Sequence, residues 1–122
     1  MPIILNAYLD IEAGVTHDCF LVCPVGLTVR EVRLCANAVG ADGSNYLTLS
    51  VQNRAGTTTY ATRATNSSGF AVGVVESLTL ANGDELDFAA GDAIKLRVAA
   101  TGSGAAAQIS VNVLCDLSRD YS

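Results

Sequence analysis

Residues 78–98, LTLANGDELDFAAGDAIKLRV, restrict the fold more than any other stretch of the chain. Three short runs alternate apolar with polar residues: Leu78-Thr79-Leu80, Leu86-Asp87-Phe88 and Ile94-Lys95-Leu96-Arg97-Val98. Period two puts the apolar side chains of an extended segment on one face and leaves the other wet. Asn82-Gly83-Asp84 and Ala89-Ala90-Gly91-Asp92 separate the runs, and Gly beside Asn or Asp reverses a chain at low steric cost. The stretch therefore predicts a meander of short strands.

The same alternation recurs on both sides of it. In residues 3–15, Ile3, Leu5, Ala7, Leu9, Ile11, Ala13 and Val15 share one face, while Asn6, Tyr8, Asp10 and Glu12 share the other. This is a half-buried first strand, or a strand preceded by a short arm. His17-Asp18 turns into a second strand, 19–25, with Cys19, Leu21 and Cys23 on one side and Phe20 and Val22 on the other. Two apolar faces predict an interior position. In residues 27–38, Leu27 and Val29 hold one phase and Val32, Leu34, Ala36 and Ala38 the other, so a β-bulge is expected at Arg30-Glu31. Residues 40–45 read as a loop, and 46–52 as a strand with Leu47, Leu49 and Val51 inward. A weak strand over 57–62, an exposed loop over 65–69 and strands over 70–75 and 77–80 follow. The last strand runs 107–117 with Ala107, Ile109, Val111, Val113, Cys115 and Leu117 on one face, after a loop at 101–105; residues 118–122 form a polar tail.

Eight or nine short strands at 8–12-residue spacing, with no helical period, predict an all-β fold. We expect one domain over residues 1–122, a jelly-roll-like antiparallel β-sandwich with a short N-terminal arm at 1–7. The length of 122 residues suits a single core. No repeat of fixed period is present, which argues against a propeller or solenoid.

Composition limits function. Only 16% of residues are charged, against about 25% in ordinary domains, while 50% are hydrophobic, so part of the surface is expected to associate with partners. The net charge is −5, Lys95 is the single lysine, and the arginines are scattered. Nucleic-acid binding needs a basic stripe and anionic membranes attract basic clusters, so neither partner is expected. No span of about 20 apolar residues and no signal peptide is written in the sequence, which predicts synthesis in a cytosol.

Candidate chemistry is sparse. Cys19 and Cys23 lie on one strand face about 13 Å apart and cannot bridge. With one histidine and no CxxC spacing, the four cysteines read as small buried hydrophobes in a reducing compartment, although a Cys35–Cys115 bridge between sheets stays open. Neighbours on a strand point to opposite faces, so His17 and Asp18 would not act as a catalytic pair without special loop geometry; no nucleophile motif accompanies them, and His17 reads as a solvated turn histidine. Asp84, Glu85, Asp87 and Asp92 lack the ligand ladder of an EF-hand loop, and Asp84 and Asp92, each directly after a Gly, read as turn formers. Tyr8, Tyr46 and Tyr60 are the aromatics available to a sugar platform. Neither an enzyme, a cofactor, a metal site nor a small-molecule substrate is expected.

The chain over residues 27–117 resembles small jelly-roll proteins of tailed-bacteriophage virions. The resemblance is carried by CPVGLTVREVRLCANA at 23–38, by the run LTLANGDELDFAAGDAIKLRVAATGSGAAAQISVNVLC at 78–115, and by the Thr/Gly/Ala-rich middle. It implies a capsid decoration (cement) protein, made in the host bacterial cytoplasm and bound to the outer surface of a phage head. The implied partners are the major capsid protein and two further copies in a homotrimer. The alternative is a receptor- or glycan-binding module of a tail or fibre. Under the decoration reading, residues 1–7 are the contacting arm, and Ile3, Ile4, Leu5 and Tyr8 are the expected capsid or oligomer contacts, because a terminal apolar segment gains order by docking.

Overall fold

A computed structural model describes residues 2–80 and 86–117. Among them are nine strands and no helix: β1 (Pro2–Ile11), β2 (His17–Val22), β3 (Leu27–Ala36), β4 (Tyr46–Asn53), β5 (Thr59–Ala64), β6 (Val75–Leu78), β7 (Asp87–Phe88), β8 (Ala93–Thr101) and β9 (Ala107–Leu117). All pairings are antiparallel. One sheet has the order β1-β9-β3-β6, with β7 also on β3; the other has the order β2-β8-β4-β5. The chain changes sheet at every connection except β4–β5 and β6–β7, which is the double Greek key of a jelly roll.

The alternation fixes the core. Leu47, Leu49 and Val51 of β4 and Ile94, Leu96 and Val98 of β8 face Val32 and Leu34 of β3 and Ile109, Val111 and Val113 of β9, all buried. Stacked sheets are held about 10 Å apart by such interdigitating side chains. Along β3 the register shifts between Val29 and Glu31, so Leu27 and Val29 on one side of the bulge and Val32, Leu34 and Ala36 on the other all point inward.

Several expectations need correction. Residues 78–98 do not form a meander: β6 pairs with Val32–Cys35 and β7 with Leu27–Thr28, two pieces of one broken strand along β3, and β8 lies in the other sheet. The Asn82-Gly83-Asp84 turn falls outside the described residues. The Ala89–Asp92 turn is present, with Gly91 at φ 84° and its N–H donating to Cys23 O at 2.8 Å. The second strand is at a sheet edge, not interior, and leaves Phe20 and Val22 half exposed or more. Residues 71–74 form a turn rather than strand, with Val72 and Val74 exposed. The loop at 65–69 is exposed as expected at Asn66, Ser67 and Ser68, but its ends are anchored: Thr65 is fully buried, bonded through its hydroxyl and its N–H to Leu47, and Phe70 bridges Val39.

The amino-terminal residues expected as an arm are paired strand. β1 runs against β9 from Pro2 opposite Asp116 to Ile11 opposite Ala107 without interruption. It stops at Ile11, before the expected Val15, because residues 12–15 turn, with Gly14 at φ 78°. Met1 and the tail at 118–122 lie outside the described residues.

Candidate functional site

β1 and β2 edge the same side of the sandwich, one in each sheet. Alternation along β1 divides the four expected contact residues. Ile3 and Leu5 turn inward and pack against the core, whereas Ile4 and Tyr8 point outward at 53% and 62% exposure. Leu114 of β9 stands opposite Ile4, and Ser110 opposite Tyr8. Ile4 and Tyr8 are thus free to meet a partner; Ile3 and Leu5 are committed to the fold.

On β2 the outward side chains are Asp18, Phe20 and Val22. Phe20 lies against Lys95, whose Nζ is 5.9 Å from the ring centroid. Arg97 donates to Asp18 from Nε at 2.8 Å and from Nη2 at 3.0 Å, and Lys95 Nζ stands 4.0 Å from the same carboxylate. The Arg97 hydrogen bond, with the charges of Arg97 and Lys95, holds the Asp18 carboxyl below the usual carboxylate range. Asp18 is therefore engaged by β8, and His17, one residue away on the strand, faces the other side.

The remaining candidates do not converge. All four cysteines are free. Cys35 and Cys115 lie in the same sheet, not in facing ones: Cys35 is opposite Ser110 and Cys115 opposite Val29, roughly five strand residues apart, or about 17 Å. Cys35 also points outward and Cys115 inward, so the bridge that spacing left open does not form. Asp87 accepts the Thr28 hydroxyl, while Asp92 accepts the Ala93 N–H and faces Arg54; Asp84 and Glu85 lie outside the described residues. Among the described residues no three His, Cys, Asp or Glu side chains gather. Tyr60 is buried edge-to-face on Phe88; its strand β5 pairs with β4, but Tyr46 lies at the other end of that pair and Tyr8 is on β1 in the other sheet, so the three tyrosines form no shared platform. An open groove of about 600 Å³ runs between β5 and β6, and its charged groups, Arg63 and Glu76, are paired with each other.

The buried thiols give a pH-dependent handle on the core. Burial pushes Cys23 up and Cys115 to about 11, the latter with a smaller contribution from Cys23. A thiol whose folded pKa is raised keeps its proton in the folded state after the unfolded chain has lost it. Its stabilising contribution is whole below pH 9.0, the ordinary thiol value, and declines as pH rises through about 11. Thermal melts between pH 8 and 11 should show a steeper loss of Tm in the native chain than in Cys115→Val; equal slopes would mean that Cys115 is not the buried titrating group.

Sequence reasoning missed Phe20 and Val22 as surface residues. An apolar residue at every position of 19–23 fits a strand covered on both faces and equally an edge strand with a sticky outer face. Only pairing decides between them.

No family model matches the chain, and no curated protein does. Among solved structures it is similar to a chain in the structure of infectious bursal disease virus Gx strain, with 13% sequence identity and a TM-score of 0.43. The similarity covers 95% of this chain and 32% of that one, so the chain spans about a third of that neighbour's length.

Proposed function

We propose that the chain is a structural virion protein, a capsid decoration (cement) protein that binds the outer surface of a phage head and stabilises the shell by non-covalent contacts. The observation that carries this reading is apolar exposure where β1 and β2 edge the sandwich: Ile4 and Tyr8 on the outer face of one sheet and Phe20 and Val22 on the outer face of the other are each at least half exposed, and Val72, Val74 and Val75 are as exposed at the opposite edge. Large apolar side chains left exposed at the edges of a sparsely charged domain mark association rather than solvation. A jelly roll with its core filled by aliphatic side chains is also a stiff plate on which such a surface keeps its shape. Many copies, each held modestly, would clamp neighbouring shell subunits by summed contacts.

Removing residues 1–7 is a poor test, because it strips β9 of its partner along most of β1 and uncovers Ile3 and Leu5. Phe20→Asp is cleaner: the side chain is 50% exposed, so the fold should hold, while a carboxylate in that surface should lower occupancy on particles by about tenfold or more. Mass spectrometry of virions should find native copies in the hundreds. A handful per particle, or unchanged occupancy for Phe20→Asp, would refute the decoration role.

A further inference from the structure

We infer that the outer edge of β1 pairs with β1 of a second copy in an antiparallel two-fold, joining the two β1-containing sheets into one. The inference concerns copies of this chain alone and holds or fails independently of any capsid.

β1 is the last strand of its sheet, and among the described residues nothing pairs with its outer edge. In an antiparallel ladder every second residue turns its N–H and C=O away from the existing partner, so this edge presents a row of main-chain donors and acceptors that is a ready template for another extended segment. The other three edges carry features that discourage such pairing. The edge opposite β1 is broken into β6 and β7; β5 is six residues long and faces a register shift; β2 is six residues long and carries His17 and Asp18. β1 has ten residues in unbroken register, no Lys or Arg, and a single charge, Asp10.

The side chains of β1 select the occupant. A two-fold through Asn6 sets residues whose numbers sum to twelve opposite each other. On the outer face Ile4 then meets Tyr8 of the second copy twice and Asn6 meets Asn6, while each Asp10 stands at an end of the ladder. On the core face Ile3 meets Leu9 and Leu5 meets Ala7. Apolar thus meets apolar on both faces, and the two Asp10 carboxylates stand at opposite ends, which matters in a chain of net charge −5. Sliding the register by two residues sets Ile4 against Asp10 or against Asn6 and loses both apolar pairs. A shift by one mismatches the faces altogether. The product is a sheet eight strands across, four from each copy. An edge meeting itself makes a closed two-fold contact, so the assembly is a dimer rather than the trimer that the resemblance implies.

Sedimentation velocity of the full chain, without particles, tests this. The native chain should run as a dimer at micromolar concentration. Asn6 is exposed, and Asn6→Lys places like charges on the axis; its dimer dissociation constant should rise by about tenfold or more with an unchanged circular dichroism spectrum. Under mild oxidation, with the native chain as background, Asn6→Cys should cross-link to a covalent dimer and Asp10→Cys should not. A native monomer or trimer, an undiminished dimer for Asn6→Lys, or equal cross-linking at the two positions would overturn the inference. Loss of particle binding by a chain that still dimerises would instead bear on the decoration role.

Discussion

Gly69→Ala is expected to destabilise the domain by about 4 kcal/mol, a large share of the 5–15 kcal/mol that holds such a domain together. The cause is backbone, not side chain. A Cβ at position 69 would sit 1.9 Å from Val39 O and 2.9 Å from Ala41 N. Those atoms cannot step aside, because Val39 and Phe70 are tied by two main-chain hydrogen bonds, at 3.0 Å and 2.9 Å. To admit the methyl group the bridge must open, at about 1 kcal/mol per bond. Phe70 and Val39, both buried, would then be drawn partly out of the core, with up to a further 1.5–3 kcal/mol for each, on the order usual for such side chains. Gly40 supplies the control in the same corner. Nothing lies within 4 Å of the Cβ it would gain, and Gly40→Ala should change stability by less than about 0.5 kcal/mol. Urea titrations of the two variants read the difference directly; equal midpoints would mean that the 39–70 bridge does not constrain the chain.

Gly69 also marks the limit of what could be read from the chain. Periodicity alone places β9 at residues 107–117 and the inward faces of β3, β4 and β8, because each of those strands buries one face and the alternation records it. It even locates the bulge near Arg30, where the apolar phase slips by one residue. Composition cannot tell that 65–69, built of Thr, Asn, Ser and Gly, is held against Leu47 and Val39, since those partners are contributed by distant strands. For the same reason the apolar runs at 78–80 and 86–88 look like hairpin neighbours of each other when both belong on β3. Local turn chemistry specifies a reversal; it does not specify which sheet receives the next strand.

The proposed association surface was half legible. Alternation along β1 separates Ile4 and Tyr8 from Ile3 and Leu5, and the structure keeps that separation. That β1 is an edge depends on topology: a jelly roll whose first strand pairs only with its last leaves one flank of the first strand unpaired. The same topology exposes Phe20 and Val22 on β2. A low overall charge is the sequence-level trace of such a surface, and it states an amount of apolar exposure without giving its address.

Arg63→Met should cost about 3 kcal/mol, or roughly 10 °C in Tm for a domain of this size. Arg63 is the clasp of the side opposite β1 and β2, and all five of its N–H donors are used. Nε and Nη2 bind the two oxygens of Glu76 at 2.7 Å and 3.3 Å, while Nη1 and Nη2 bind the carbonyls of Ala64, Ser68 and Gly69 at 2.5, 2.7 and 2.9 Å. The guanidinium also lies over the Phe70 ring, 4.9 Å from its centroid. One side chain thus ties β5 to β6 across the two sheets and closes the 65–69 segment on itself. Methionine keeps much of the aliphatic stem but abandons three carbonyls and a carboxylate that is only 25% exposed. Lysine keeps the charge and loses the planar fork, so Arg63→Lys should recover less than half of the loss. Glu76→Gln leaves the carbonyl bonds in place and should cost about 1 kcal/mol. The double variant Arg63→Met/Glu76→Leu no longer strands a carboxylate and should be more stable than the sum of its single changes predicts, by about 1 kcal/mol or more. Strict additivity in that cycle, or a silent Arg63→Met, would show that the two sheets are held together on this side by the aliphatic core alone.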